Sequence, residues 1–272
     1  KILNYPPLMN SMYRGGSIMV NTRRILVLCL IMLLIFVSQI AYAEAKEKES
    51  MLKEHIAKGY NANKLEHRNS LLRFQAENNL TVDGIIGKET NKALTSKNKR
   101  VVDKVPKEIK DKEWFIVINK DKKILTVYKH GEVYKKYPVA LGKNSTPTPN
   151  HKFTIVNKVV NPYWGGMGGK YKPIKGGDPR NPLGKRWLGL STEKYWGYGI
   201  HGNSDPYSIG KYISHGCIRM INEDIEELFE YIPIRTDVWI GTEKVLNKWG
   251  IQQYVEYYDK VASLGFFFKC TF

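Results

Sequence analysis

The hydrophobic period changes once along this chain, and the change divides it. Before residue 96 the apolar residues fall at helical spacing; from Trp114 onward they alternate. Trp114–Ile118, Ile124–Tyr128 and Val133–Leu141 are β-branched and aromatic runs, parted by Asp121-Lys122 and His130-Gly131. Short runs with two-residue turn signals predict two consecutive antiparallel hairpins. Phe153–Val160 and Val238–Gly241 read as further strands. The one clear helix of this half starts at Asn222, read as its N-cap, with Glu223 and Asp224 in the first turn. Its apolar residues Ile225, Leu228, Phe229 and Ile232 sit at i, i+3, i+4 and i+7. Residues 114–241 therefore predict a mainly-β domain.

The rest of the chain divides around it, giving an α+β multidomain class. Residues 51–96 predict a small helical domain, and 97–113, polar, Lys-rich and broken by Pro106, a linker. Residues 242–272 form a C-terminal extension in which Trp249, Tyr254, Tyr257 and Tyr258 suggest a helix packed on the domain. Within 114–241, the Gly/Pro/aromatic stretch Asn161–Gly199 is too long for an ordinary connection, and substrate contacts are expected there.

The N-terminal 43 residues read as a leader. Arg23 and Arg24 precede the apolar run Ile25–Val37, and Ala41-Tyr42-Ala43 stands before the first acid, Glu44. That pattern describes a secretory signal peptide, and the run is short of the roughly 20 residues a spanning helix needs. The alternative is an uncleaved signal anchor. Leu26-Val27-Leu28 lacks the small residues expected before a lipidated Cys29. Residue 1 is Lys, whereas Met19 opens an ordinary leader, so residues 1–18 read as an over-extended reading frame.

The formal charge is +17, and removing residues 1–43 takes away Lys1, Arg14, Arg23 and Arg24 and no acid, leaving +13. Outside the cell such a charge favours anionic wall polymers, and location argues against nucleic acid. The alternative is a lysine-rich composition with no partner behind it. A hydrophobic content of 42% excludes wholesale disorder, and three cysteines exclude a disulfide-stapled scaffold.

In the helical region, Leu71, Leu72, Phe74 and Gln75 lie on a helix that stops near Asn78-Asn79. Leu80-Thr81-Val82-Asp83-Gly84 and Gly87-Lys88-Glu89-Thr90 follow, with turns at Asp83-Gly84 and Gly87, and then Ala93-Leu94. Phe-Gln, Leu-x-x-Asp-Gly, Gly-x-x-Thr and Ala-Leu in that order resemble the three-helix peptidoglycan-binding domain that accompanies many wall enzymes. A plain helical spacer is the other reading.

The chemistry concentrates in Ile200-His201-Gly202-Asn203 and Ser214-His215-Gly216-Cys217-Ile218-Arg219-Met220. A thiol becomes a nucleophile as its thiolate, and a nearby imidazole, helix N-terminus or cation lowers its pKa. Cys217 has a candidate for each: His201 or His215 as base, the Asn222 helix, and Arg219. Gly216 lets the backbone approach a substrate, so the Gly216 and Cys217 N–H groups are a candidate oxyanion cradle. A zinc site of His201, His215 and Cys217 lacks a fourth ligand at ordinary spacing, and neither a metal nor a cofactor is expected.

His-Gly followed by Ser-His-Gly-Cys-Ile-Arg-Met is similar to the signature of the L,D-transpeptidase (YkuD-like) family. The segments Gly142…Thr146-Pro147-Thr148-Pro149, Asn181-Pro182-Leu183-Gly184 and Tyr198-Gly199-Ile200-His201-Gly202 stand in that family's order. His151 departs from it, where glycine is usual. The resemblance implies a β-rich catalytic fold acting on peptidoglycan stem peptides. Cys217 would attack the carbonyl of the third residue, expel the terminal D-alanine and pass the acyl group to an amine of another stem. His201 would take the thiol proton, with the Gly202 carbonyl orienting its ring. Ser214, His215 and Gly216 would shape the pocket, and Arg219 would meet a substrate carboxylate. Such enzymes need no metal, and carbapenems acylate their cysteine. An L,D-carboxypeptidase on the same machinery and a non-catalytic wall-binding protein are the competing readings.

Overall fold

In the computed structural model, residues 59–258 are described without a break, together with scattered positions between 31 and 57, all of them helical. The leader therefore falls largely outside the described residues, as do Cys29, Cys270 and Gly265–Phe268. No helix among the described residues is long and apolar enough to cross a membrane. Residues 1–47 form one unit and 48–272 another.

The hairpins form where the alternation placed them. β2 (Trp114–Asn119), β3 (Ile124–Lys129) and β4 (Glu132–Gly142) pair antiparallel in turn. Lys123, His130 and Gly131 take the left-handed backbone that tight turns demand. β5 (His151–Val160), β6 (Arg186–Ser191), β7 (Tyr198–His201), β9 (Ile218–Met220) and β10 (Asp237–Gly241) complete a sheet in the order β3-β2-β10-β5-β6-β7-β9-β4. Because β3 also pairs with β4, these eight strands close on themselves, which leaves no edge among them. β8 (Tyr212–Ser214) runs parallel to the end of β4. The interior is filled by residues such as Ile116, Val139, Phe153, Leu188, Ile218 and Ile240. Helix Asn222–Tyr231 joins them through Ile225 and Leu228, with Ile232 just past its end, on the face its spacing requires.

Two expectations are corrected. The stretch Asn161–Gly199 is not one long loop, since β6 and the start of β7 fall inside it. Residues 97–113 are not a linker: β1 (Lys99–Lys104) pairs antiparallel with β11 (Gln252–Tyr257) over six residues, and a short helix follows Pro106 at Lys107–Lys110. The reason is a buried polar knot. Asp103 accepts from Lys136 Nζ, from Tyr128 OH at 2.8 Å and from Gln253 Nε2 at 3.0 Å. Tyr254 and Tyr257 consequently lie on a strand, not on the expected helix. Among the described residues, the helix of the C-terminal extension is a short one, Glu243–Lys248, capped by Thr242 Oγ1.

The N-terminal helical region holds α1 (Leu65–Glu77) and α2 (Lys88–Thr95). Gln75, fully buried, ties its motif residues together. Its side-chain carbonyl accepts the N–H groups of Asp83 and Gly84, and its amide donates to Asp83 Oδ1 at 2.7 Å and Thr90 Oγ1 at 3.2 Å. This region does not stand apart from the barrel. Leu72, Ala76 and Val82 form one apolar cluster with Ile124, Ala140, Ile209 and Ile221.

Candidate active site

Strand register assembles the site. β7 and β9 run parallel, with Ile200 beside Ile218 and His201 beside Arg219. Extending that register by one residue puts Cys217 beside Gly199. Side chains two apart on a strand share a face, so Cys217 and Arg219 lie on the side that His201 occupies. All three line one cavity of about 600 Å³, together with Ser214 and His215. The stretch expected to supply substrate contacts does line it, through Pro162, Tyr163, Trp164, Met167, Tyr171, Pro182 and Leu183.

His201 is buried, and its Nδ1 lies 2.7 Å from the Gly202 carbonyl oxygen. A carbonyl can only accept, so in the neutral ring Nδ1 carries the proton and Nε2 is left as the base. Trp187, its register partner on β6, stacks over the imidazole with centroids 5.6 Å apart and planes at 20°. Burial, with a smaller contribution from the Arg219 charge, pulls His201 down to about 4, against the upward pull of the Gly202 carbonyl.

Cys217 is half-buried, and its Sγ donates weakly to the Gly197 carbonyl at 3.8 Å. Burial pushes the thiol above its ordinary value. A backbone hydrogen bond from Gly199 and the Arg219 charge oppose the shift without overcoming it. This reverses the expectation of a lowered thiol pKa, because desolvation outweighs the nearby cation. At neutral pH the pair is thiol and neutral imidazole.

The turn before Cys217 is tightly specified. Ser214 Oγ donates to the Cys217 carbonyl at 2.5 Å and accepts the Gly216 N–H at 3.1 Å. The Gly216 N–H is therefore already engaged, and the cradle expected from Gly216 and Cys217 retains only the Cys217 N–H. Gly216 has φ +120°, and a Cβ there would meet Tyr198 Cε1 at 2.8 Å, so any side chain would be strained and would have to displace Tyr198. His215 is exposed at the cavity wall, where desolvation and then Lys143, Lys170 and Arg219 lower its pKa. Arg219 Nε is buried without a hydrogen-bond partner among the described residues.

Two residues that the sequence reading missed hold this arrangement. Asn222 was expected to cap its helix, but its side chain makes no cap bond there. It grips Asn203 instead, accepting that residue's N–H at 2.8 Å and donating to its carbonyl at 3.1 Å. Asn203 Nδ2 in turn donates to the Met220 carbonyl at 2.7 Å, tying the chain after His201 to β9. Trp187 gave no sequence signal at all. Asn181, quoted only as part of a motif, donates to the Pro162 carbonyl at 2.8 Å and accepts from Leu183 N–H at 2.9 Å, folding the cavity loop on itself.

One metal-ligand cluster occurs among the described residues, away from this site: His55, Glu66 and His67, with ligand atoms within 4.8 Å. His67 Nδ1 accepts the Asn61 N–H, which leaves the ring proton on the Nε2 that faces Glu66. The two imidazoles stack at 4.1 Å, so their lone pairs run side by side instead of converging.

Residues 113–240 match the family model of the L,D-transpeptidase catalytic domain, YkuD. The putative L,D-transpeptidase YqjB of Bacillus subtilis is 41% identical over 128 residues, covering 46% of this chain and 70% of YqjB. The putative L,D-transpeptidase YkuD of the same organism is 40% identical over 128 residues, covering 47% of this chain and 66% of YkuD. Among solved structures, an L,D-transpeptidase from Mycobacterium tuberculosis aligns with a TM-score of 0.40 at 18% identity, over 47% of this chain and 57% of that one. The Enterococcus faecium L,D-transpeptidase C442S mutant aligns with a TM-score of 0.38 at 22% identity, over 48% of this chain and 50% of that one. With the matched stretch holding His201, Cys217 and every other residue of the cavity wall described above, the chain belongs to the L,D-transpeptidase family.

Proposed function

We propose that the protein forms 3→3 cross-links between peptidoglycan stem peptides through a thioester on Cys217. The observation that carries this reading is the pairing in one cavity of a partly accessible thiol with an imidazole whose free nitrogen is fixed by the Gly202 carbonyl. Cys217 Sγ attacks the carbonyl carbon of the third stem residue while its proton passes to His201 Nε2. The Cys217 N–H donates to the oxyanion. The C–N bond to the terminal D-alanine breaks, and His201 returns the proton to the departing amine. An amine of a second stem then attacks the thioester carbon, gives a proton to His201 and expels the Cys217 thiolate, which takes that proton back. A neutral starting pair suits this sequence, because the charge develops only as the sulfur attacks.

Arg219 receives a substrate carboxylate, since a half-buried guanidinium with an unmatched Nε is an anion site in waiting. His215 and the loop around Tyr163 and Tyr171 contact the rest of the stem. The protein acts outside the cytoplasm, at the bacterial wall, after export by its leader, and is anchored in the membrane only if that leader stays uncleaved. Its positive charge holds it to anionic wall polymers, and the helical region contributes peptidoglycan binding.

Incubating the protein with purified tetrapeptide muropeptides and weighing the products tests the proposal. A dimer one D-alanine lighter than two monomers is expected. Tripeptide without dimer would make it an L,D-carboxypeptidase, and an unchanged substrate would overturn the acyl-transfer reading.

A further inference from the structure

Behind the Cys217 turn lies a loop, residues 143–150, that the mechanism above does not use. Thr148 sits in it with no solvent exposure. Its hydroxyl is spent in both directions: Oγ1 accepts the Gly142 N–H at 2.9 Å and donates to the Gly216 carbonyl at 2.8 Å. Gly216 is the residue before the nucleophile. The same loop holds the Ser214 carbonyl twice, through the Lys143 N–H at 3.0 Å and Thr146 Oγ1 at 3.3 Å. A Cβ at Gly142 would lie 2.3 Å from the Thr146 carbonyl oxygen, so strand end and loop are in direct contact. From the other side, Lys120 Nζ donates to the Thr148 carbonyl at 2.5 Å and to Asn150 Oδ1 at 3.1 Å. Pro147 and Pro149 restrict the backbone on either side of Thr148.

We infer that Thr148 is a positioning residue for Cys217: its hydroxyl fixes the Gly216–Cys217 peptide to the end of β4 and so sets where the thiol and the Cys217 N–H point. It touches no substrate and acts through the peptide it holds. The nucleophile and its oxyanion donor share that one peptide, so a rotation there misplaces both together. Catalytic geometry tolerates little of this: a displacement of about 1 Å can cost roughly 100-fold in rate. The inference rests on Cys217 being the nucleophile.

The test compares full-length wild type with Thr148→Val, which keeps the shape and loses both hydrogen bonds, and Thr148→Ser, which keeps the hydroxyl. Imipenem is the probe of acylation, and iodoacetamide, which needs no oxyanion donor, is the probe of bare thiol reactivity. Thr148→Val is expected to slow imipenem acylation by about 10- to 100-fold with a much smaller change in alkylation, while Thr148→Ser stays within about 3-fold of wild type. Wild-type acylation in Thr148→Val, or an equal loss in Thr148→Ser with an unchanged melting temperature, would overturn the inference. If Thr148→Val does not fold, Lys120→Met loosens the same loop. It should also slow acylation more than alkylation, and a wild-type rate there would likewise overturn the inference. Acylation of wild type that persists in Cys217→Ala would sink the nucleophile assignment itself, a result distinct from either of these.

Discussion

Arg73 of α1 and Asp224, in the first turn of the helix Asn222–Tyr231, form a two-pronged ion pair, Nη2 to Oδ1 at 2.7 Å and Nε to Oδ1 at 3.0 Å. The Asp224 side chain is only 7% exposed, and the guanidinium offsets part of the water it has lost. Arg68 Nη2 adds a bond at 2.7 Å to the Ile209 carbonyl, in the segment between His201 and Cys217. The helical region thus braces the catalytic barrel.

Arg73→Ala should therefore destabilise the whole protein by about 2 kcal/mol, because it removes a charge-assisted pair of hydrogen bonds from a nearly buried carboxylate. Arg73→Ala/Asp224→Ala should lose less than the two single changes combined. Urea midpoints for the four proteins check this, and simple additivity would refute the coupling.

Removing residues 44–97 is expected to weaken the barrel itself. It strips Ile124, Ala140, Ile209 and Ile221 of the apolar partners Leu72, Ala76 and Val82. The shortened protein should unfold at lower urea and acylate more slowly with imipenem. A fragment as stable and as reactive as the full chain would show that the shared core is dispensable.

Lys136 and Asp103 are almost wholly buried, with side chains 3% and 5% exposed. Lys136→Met should cost about 3–5 kcal/mol, as breaking one side of a buried pair does. Asp103 is held below the ordinary carboxylate value despite its burial, by the charge and hydrogen bond of Lys136. Its contribution to stability is complete above the ordinary value and is lost as pH falls through the lowered one. Chemical unfolding of the variant at neutral and acid pH measures both effects.

His201 titrates near 4 in the folded protein against an ordinary 6.5. The unfolded chain binds the proton first on acidification, so stability should fall from about pH 6.5 down to about pH 4 and owe nothing more to this group below. Over the same range the folded protein keeps His201 neutral, and the acid limb of imipenem acylation should lie near pH 4. An acid limb near 6.5 would contradict the burial argument, and His201→Gln should remove the limb together with most of the rate.

Asn222→Ala deprives the Asn203 N–H and carbonyl of their partner at one stroke. A loss of roughly 1–3 kcal/mol is expected, with slower acylation because the chain after His201 is no longer tied down. Asn222→Asp keeps the acceptor and loses only the donor, so its defect should be the smaller one.

Legibility followed sequence distance. The strands from Trp114 to Val160 were visible because alternation and two-residue turns are local, and so was the face Ile225, Leu228 and Ile232 buries. β6 to β9 were not, being short, rich in glycine and aromatics, and paired mostly with strands far along the chain. His201, Gly202, Cys217 and Arg219 stood out by motif, whereas Trp187 and Asn222 matter through partners 14 and 19 residues away. Asp103 looked like one more solvated charge in a lysine-rich stretch, because its partner Lys136 lies 33 residues on.

We propose above that acyl transfer runs through the Cys217 sulfur. Mass spectrometry of the intact protein after incubation with imipenem tests it most directly, followed by mapping of the modified peptide. One adduct per chain is expected, on the peptide bearing Cys217, absent from Cys217→Ala and formed far more slowly in His201→Gln. An adduct that persists in Cys217→Ala, or one on another residue of the wild type, would contradict it.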